Sequence, residues 1–342
     1  MTGPVPMIAS SPLPQLISSD EVLSRIPPTY MVDALEAAHR CAYAPLARLH
    51  TSVPRDARED GEMLIWLGSA HDGAVGTKVV SISPDNSRRA AGSGDNWHAA
   101  VLLCDPEDGR FRSIIVGNAF THYKTAADSA LGARLLARRD PQTLTIIGAG
   151  AQAATHLRVM AAEFPTLRRI DVWNRSHERA VRLAAQAADD APGADVRAVE
   201  HLERSVRDAD LVVCVTSSTS PVLDGAWLRA GCHVDLVGGY TPSMREANDV
   251  ALLRARIHVD HRALVTEHCG DIRQPLEAGV IDAADIEGDL FDLCGGRAAG
   301  RQHDDDITLF KNGGGGHLDL MFADWLSRRC AAPADGHMPS DR

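Results

Sequence analysis

The sequence predicts an α/β protein: a doubly wound parallel sheet of the Rossmann type, joined to a strand-rich α+β domain. Three observations carry this reading. From residue 143 onward, short apolar runs alternate with amphipathic stretches, the pattern of βαβ units. Gly148-Ala149-Gly150-Ala151-Gln152-Ala153 lies between the first such strand and its helix. Between Gly61 and Val116, four apolar runs are separated by turn signals. A chain of 342 residues suits two domains.

The elements follow in order. Pro27-Pro28 precedes a helical stretch over Thr29–Tyr43, with Met31, Leu35 and Ala38 on one side. Strands are expected at Met63–Leu67, Val79–Ile82, Ala99–Leu103 and Ser113–Val116, with Asp108-Gly109 turning a hairpin between the last two. Thr125–Arg138 is an alanine-rich helix ended by Asp140-Pro141. The alternation then runs through strand Leu144–Ile147, helix Gln152–Glu163, strand Ile170–Trp173 and helix Glu178–Ala188. Strands Leu211–Val215 and His233–Val237 continue it. After the glycine run Gly313–Gly316, an apolar helix over Leu318–Leu326 is expected to return to the first domain. The resulting division is 1–124 with 306–342 as one domain, and 125–305 as the Rossmann domain.

A net charge of −11 argues against nucleic acid or an anionic membrane as partner, since both require clustered Lys and Arg. A small carboxylated substrate remains compatible, because a local cationic pocket can sit in an acidic protein. Seven scattered cysteines without a CxxC pair read as reduced thiols of a cytoplasmic protein. The stretch Met1–Pro14 lacks the basic and apolar regions of a signal peptide, and no run approaches a membrane span. His98, His122 and His317 show no metal-ligand spacing, so no metal is expected. Asp304-Asp305-Asp306 reads as a solvated loop, and the Gly313–Gly316 run lacks the ending of a P-loop.

The glycine motif fits GxGxxA, with Gly148 for the turn, Gly150 for backbone approach to a pyrophosphate and Ala153 for helix packing. Ala151 and Gln152 open the helix whose N–H groups would receive the phosphates. The second strand ends in Asn174-Arg175-Ser176, with no acid to bond a free ribose 2′-hydroxyl. An arginine there pairs with a 2′-phosphate, so NADPH is expected over NADH.

Further motifs occur in a fixed order. They are Gly76-Thr77-Lys78-Val79-Val80-Ser81 with Pro84 and Asn86, then Lys124-Thr125-Ala126-Ala127-Asp128-Ser129-Ala130. After the glycine loop come Asn174-Arg175-Ser176, Thr216-Ser217-Ser218, Pro221-Val222-Leu223 and Arg245-Glu246. Phe310-Lys311-Asn312 leads on to Gly314 and Asp319. Together these resemble the ornithine cyclodeaminase/mu-crystallin family over nearly the whole chain.

The resemblance implies a homodimer whose strand-rich domain binds substrate and forms the subunit contact. It puts the catalytic role on Lys78, and Thr216, Ser217 and Ser218 beside the cofactor. Lys124 stands where the family has a carboxylate-binding arginine, keeping the charge but losing the bidentate fork. Arg48 sits near a further carboxylate-binding arginine of the family, with Arg55 as the alternative. The family's Met-Pro before the lysine loop is replaced around Trp66-Leu67-Gly68. Tyr240 follows Gly238-Gly239 where true ornithine cyclodeaminases carry an aspartate, and is expected to line the substrate site. The implied activity is NAD(P)H-dependent oxidoreduction at the C–N bond of a small carboxylated imine or amino acid. A ketimine or Δ1-pyrroline-2-carboxylate reductase and an amino-acid dehydrogenase both fit that description. The alternatives are a cyclodeaminase-type lyase, against which Tyr240 counts, and a non-enzymatic NADPH- and ligand-binding protein, against which Lys78 counts.

Overall fold

The structure is a computed structural model that describes residues 13–41, 47–55, 60–69, 75–83 and 96–331, without the side chains of residues 47, 48 and 188. Two sheets organise it. The first has six strands in the order β1-β6-β5-β4-β3-β2. These are β1 Gln15–Ser18, β2 Ala47–Val53, β3 Gly61–Ser69, β4 Val75–Ile82, β5 Trp97–Cys104 and β6 Phe111–Val116. Strands β2 to β6 form an antiparallel meander, and β1 joins β6 in parallel. The expected turn is present: Gly109, at φ 72°, donates its N–H to Asp105 O at 3.0 Å. Sequence alone misses β1 and β2. Leu16 at 70% and Leu49 at 57% exposure show why: these edge strands do not alternate between core and solvent.

The second sheet is wholly parallel, in the order β13-β12-β14-β11-β10-β7-β8-β9. Its central strand β7 is Thr143–Ile147, flanked by β8 Arg169–Trp173 and β10 Leu211–Cys214, with β9 Asp195–Ala198 at one edge. On the other side follow β11 His233–Leu236, β14 Thr308–Lys311, β12 Arg256–Val259 and β13 Ile286–Asp289. The doubly wound α/β architecture expected from the sequence is therefore present. The order reverses at β7, which opens a crevice at the carboxyl ends of the strands. One refinement concerns the tail. The strand β14, inside the segment expected to return, sits in the middle of the parallel sheet, where Leu309 and Phe310 are fully buried. The return begins only with α11, Gly316–Ala331, which packs on β3, β4 and β5 of the first sheet.

Helix α3, Ala119–Leu136, bridges the sheets, touching both α11 and β14. It starts six residues before the expected Thr125, because its first N–H groups find acceptors far away in sequence. Ala119 N donates to Asp20 Oδ1 at 3.2 Å, and Phe120 N to Ser19 Oγ at 3.1 Å. Gly132 is required where α3 crosses β14, since a Cβ there would lie 2.6 Å from the Phe310 ring. One apolar core runs continuously from Leu103 and Ile115 of the first sheet, through α3, to Leu144 and Ile146 of the second. No helix among the described residues is long and apolar enough to cross a membrane.

Candidate active site

A cleft of about 1060 Å³ opens between the two sheets, with the parallel sheet's carboxyl end on one side and the inner face of the first sheet on the other. At its centre β7 turns at Gly148, whose φ of 128° is left-handed. A side chain there would put Cβ 2.7 Å from Val215 O on the neighbouring strand end. Gly150 caps α4, Ala151–Glu163, and a Cβ on it would meet nothing within 4 Å. The open space over Gly150 is the cradle a pyrophosphate needs, with the first N–H groups of α4 facing it. Gln152 lines the cleft, Ala151 is exposed at the first helical position, and Ala153 is fully buried against the core. This loop therefore fits a dinucleotide.

Asn174, Arg175 and Ser176 line the same cleft at the tip of β8, as do Thr216, Ser217 and Ser218 after β10. Asn174 Nδ2 donates to Ser176 O at 3.0 Å, which shapes the tip. Sequence reasoning missed Arg179, in the first turn of α5 (His177–Gln186), which lines the cleft together with Arg175 of the preceding loop. The signal available was its four-residue spacing from Arg175.

Three distant segments meet on the facing wall. Lys78 from β4 and Lys124 from α3 both reach Asp319 in the first turn of α11, with Nζ to Oδ1 distances of 2.9 and 3.4 Å. Exposures of 4%, 3% and 2% show that all three are shielded from water. Burial pushes the Lys78 ammonium down to about 8, against the pull of Asp319 and with help from Lys124. Burial opposes ionisation of Asp319, yet the two ammonium groups hold its carboxyl below the ordinary value. Asp319 is the only carboxylate among the described residues lining the cleft, and its partnership with the lysines was not foreseen. Close neighbours and backbone conformation explain the glycine run: a Cβ on Gly313 would lie 2.8 Å from Val265 Cγ2, and one on Gly315 2.7 Å from Leu264 Cδ1. Gly314 has a φ of 64°, and a Cβ on it would lie 3.5 Å from Lys124 Nζ.

Beyond the lysines, the wall is apolar: Leu64, Trp66, Val80, Ile82 and Trp97 share the inner face of the sheet. Lys78 Nζ stands 5.7 Å from the Trp66 ring centroid and 5.8 Å from that of Phe120. Tyr240 lines the cleft and is 57% exposed. The backbone of Arg48 pairs with Trp66, but its side chain lies outside the described residues, as do Pro84 and Asn86. Arg55 is not among the residues lining the cleft; its guanidinium donates to Ile82 O at 3.1 Å and Ser83 Oγ at 2.6 Å. His122 lines the cleft, whereas His98 is exposed and His317 is buried behind it. No group of metal-binding side chains occurs among the described residues.

The profile of the ornithine cyclodeaminase/mu-crystallin family matches residues 44–329. The Δ1-pyrroline-2-carboxylate reductase of Paracoccus denitrificans is 37% identical over 322 residues, covering 94% of this chain and 99% of that protein. The mouse ketimine reductase mu-crystallin is 32% identical over 255 residues, 75% of this chain and 76% of that protein. Among solved structures, Thermococcus litoralis Δ1-pyrroline-2-carboxylate reductase, in complex with NADH and L-proline, superposes with a TM-score of 0.82. Its identity is 26%, and the match covers 92% of this chain and 97% of that one. The chain belongs to the ornithine cyclodeaminase/mu-crystallin family, as a member of its reductase type.

Proposed function

We propose that this chain is an NADPH-preferring reductase of a small cyclic imine bearing one carboxylate, of the Δ1-pyrroline-2-carboxylate or ketimine kind. The observation that carries the reading is the Lys78–Asp319–Lys124 cluster, set in the same cleft as the glycine loop. Two ammonium groups share one carboxylate there, and because burial pushes up both acids behind Lys124, Asp128 and Asp260, the cluster keeps a net positive charge. Such a charge is costly without a partner, and a substrate carboxylate supplies it. The apolar wall of Trp66, Val80 and Trp97 suits a hydrocarbon ring rather than a second charged arm.

Reduced nicotinamide, when bound, supplies the hydride that an imine carbon accepts. The residues of the chain do the rest. Lys124 holds the substrate carboxylate, with Arg48 assigned to assist. Lys78, pushed down to about 8 by burial, gives its proton to the imine nitrogen as the carbon gains hydride, so that C=N becomes CH–NH. Asp319 keeps both ammonium groups aimed into the cleft, and Tyr240 closes its outer side. Arg175, Asn174 and Ser176 receive the ribose 2′-phosphate. Residues 1–124 and the tail from Gly316 on are assigned as the substrate domain, with 125–305 and strand β14 as the dinucleotide domain. Seven free thiols suit a reducing compartment, and we assign the cytoplasm.

The outer face of the first sheet supports a homodimer. Its cross-strand rows read Leu16–Ile114–Leu102–Thr77–Leu67 and Val116–Ala100–Val79–Ile65–Leu49. An apolar sheet face of this extent asks for a partner surface, and a second copy supplies one. The deciding experiment follows NADPH oxidation against a panel of cyclic imino acids, with 2-oxo acids plus ammonia as comparison. Oxidation by the cyclic imines is expected; none with any of them would sink the reading.

A further inference from the structure

Behind the cleft lies a polar clamp that the glycine loop and the lysine cluster do not use. Thr216 opens the loop after β10, and Gly238 opens the loop after β11 that leads to Tyr240. Fully buried Glu246 spans the two. Its Oε1 accepts from Thr216 N at 2.6 Å and from Thr216 Oγ1 at 2.8 Å, while its Oε2 accepts from Gly238 N at 2.6 Å. The Glu246 N–H donates to Asp271 Oδ1 at 2.7 Å, and Asp271 is itself ion-paired with Lys311 at 3.0 Å. No side chain fits between the loops: a Cβ on Gly238 would lie 1.8 Å from Thr216 O, and one on Gly239 2.0 Å from Asp271 Oδ2.

We propose that Glu246 is a positioning residue that fixes the cofactor-side loop Thr216–Ser218 against the substrate-side loop Gly238–Tyr240. The inference rests on the assignment of those two loops made under the proposed function. Three donors converge on two carboxylate oxygens, an arrangement that only the ionised acid satisfies in full, because a protonated acid must donate from one oxygen. The group is close to that limit. Burial, then Asp271, push Glu246 up to about 7, against Lys311 and the Thr216 hydrogen bonds. Asp235 of β11 and Cys214 of β10 also face it, and the Lys311 ammonium of β14 acts against all three. Lowering the pH through this range therefore loosens the clamp from within.

The test measures NADPH dissociation constants of the wild type, Glu246→Gln and Thr216→Val between about pH 6 and about pH 8, with Tm and the kcat and KM for the imine alongside. Glu246→Gln puts an N–H against a donor. At the upper pH its NADPH Kd should rise about tenfold, the cost of one good hydrogen bond. The wild type should lose affinity as the pH falls, with a component that the variant lacks. Thr216→Val, which keeps the backbone bond, should raise Kd about threefold. A folded Glu246→Gln with wild-type Kd and wild-type pH dependence overturns the proposal. If that variant does not fold, an unchanged Kd and kcat in Thr216→Val does so instead. A wild type that binds NADPH but reduces no imine sinks the substrate reading and leaves this test intact. A wild type that binds no dinucleotide sinks both.

Discussion

Lys78 donates to Asp319 at 2.9 Å across 241 residues of chain, and the bond closes the first sheet against the C-terminal helix at the cleft. Removing the Asp319 carboxylate leaves two buried lysines, Lys78 and Lys124, without this counter-ion. Asp319→Asn should therefore destabilise the fold by about 3–5 kcal/mol, the usual cost of orphaning one member of a buried pair. A fall in denaturation midpoint of less than a degree would show that the pair contributes nothing.

The same pair sets a pH profile. As a proton donor with a folded value of about 8, Lys78 is charged below that pH. Imine reduction at saturating NADPH should accordingly decline above about pH 8, approaching tenfold per unit. In Asp319→Asn the counter-ion is gone and the declining limb should move to lower pH. Stability runs the other way. Because the folded value is lowered, the folded state binds this proton less well than the unfolded chain does. This contribution costs stability below about 8, and the cost fades as pH rises toward the ordinary lysine value. Lys78→Ala should lower kcat by orders of magnitude while leaving the NADPH Kd near normal. A wild-type kcat/KM in that variant would remove Lys78 from the chemistry.

Ornithine should not be cyclised. The position after Gly238-Gly239 is Tyr240, and Asp319, the only carboxylate among the described cleft-lining residues, is bound up with two lysines. Incubation with ornithine and NAD(P)⁺, followed by assay for proline and ammonia, tests this; robust proline formation would favour the lyase.

The outer face of the first sheet should carry the subunit contact. Val79 lies in its central row, flanked by Ala100 and Ile65. Val79→Glu should shift the sedimentation coefficient from dimer toward monomer, since an interfacial carboxylate would be buried without a partner. A variant that sediments as the wild type does would place the contact elsewhere.

Most of the fold was legible because its signals are local. The strand–glycine–helix passage over 143–163 and the alanine-rich helix need no distant residue to be recognised. What escaped was set by contacts far apart in sequence. The true start of α3 depends on Ser19 and Asp20, and the place of β14 depends on neighbours more than 40 residues away. In the site, Lys78 and Lys124 entered through motifs, but no spacing rule could link them to Asp319, nor Glu246 to Thr216 and Gly238. Those relations exist only once the chain has folded.

Coenzyme preference rests on the tip of β8. Arg175 and Arg179 both line the cleft there, and no carboxylate among the described residues opposes a 2′-phosphate. A guanidinium–phosphate hydrogen bond contributes about 1.5–3 kcal/mol when well formed. Both arginines are exposed, so solvent screening puts their joint contribution near the lower end, about tenfold in affinity. The wild type should bind NADPH at least about tenfold more tightly than NADH. Arg175→Ala should erase most of that gap with little change in NADH affinity. Arg179→Ala should remove a smaller share, because its side chain comes from the helix rather than the strand tip. Four dissociation constants, for both coenzymes with the wild type and with Arg175→Ala, decide the matter. A wild-type preference for NADH, or a ratio unchanged in the variant, would make Arg175 an ordinary surface arginine.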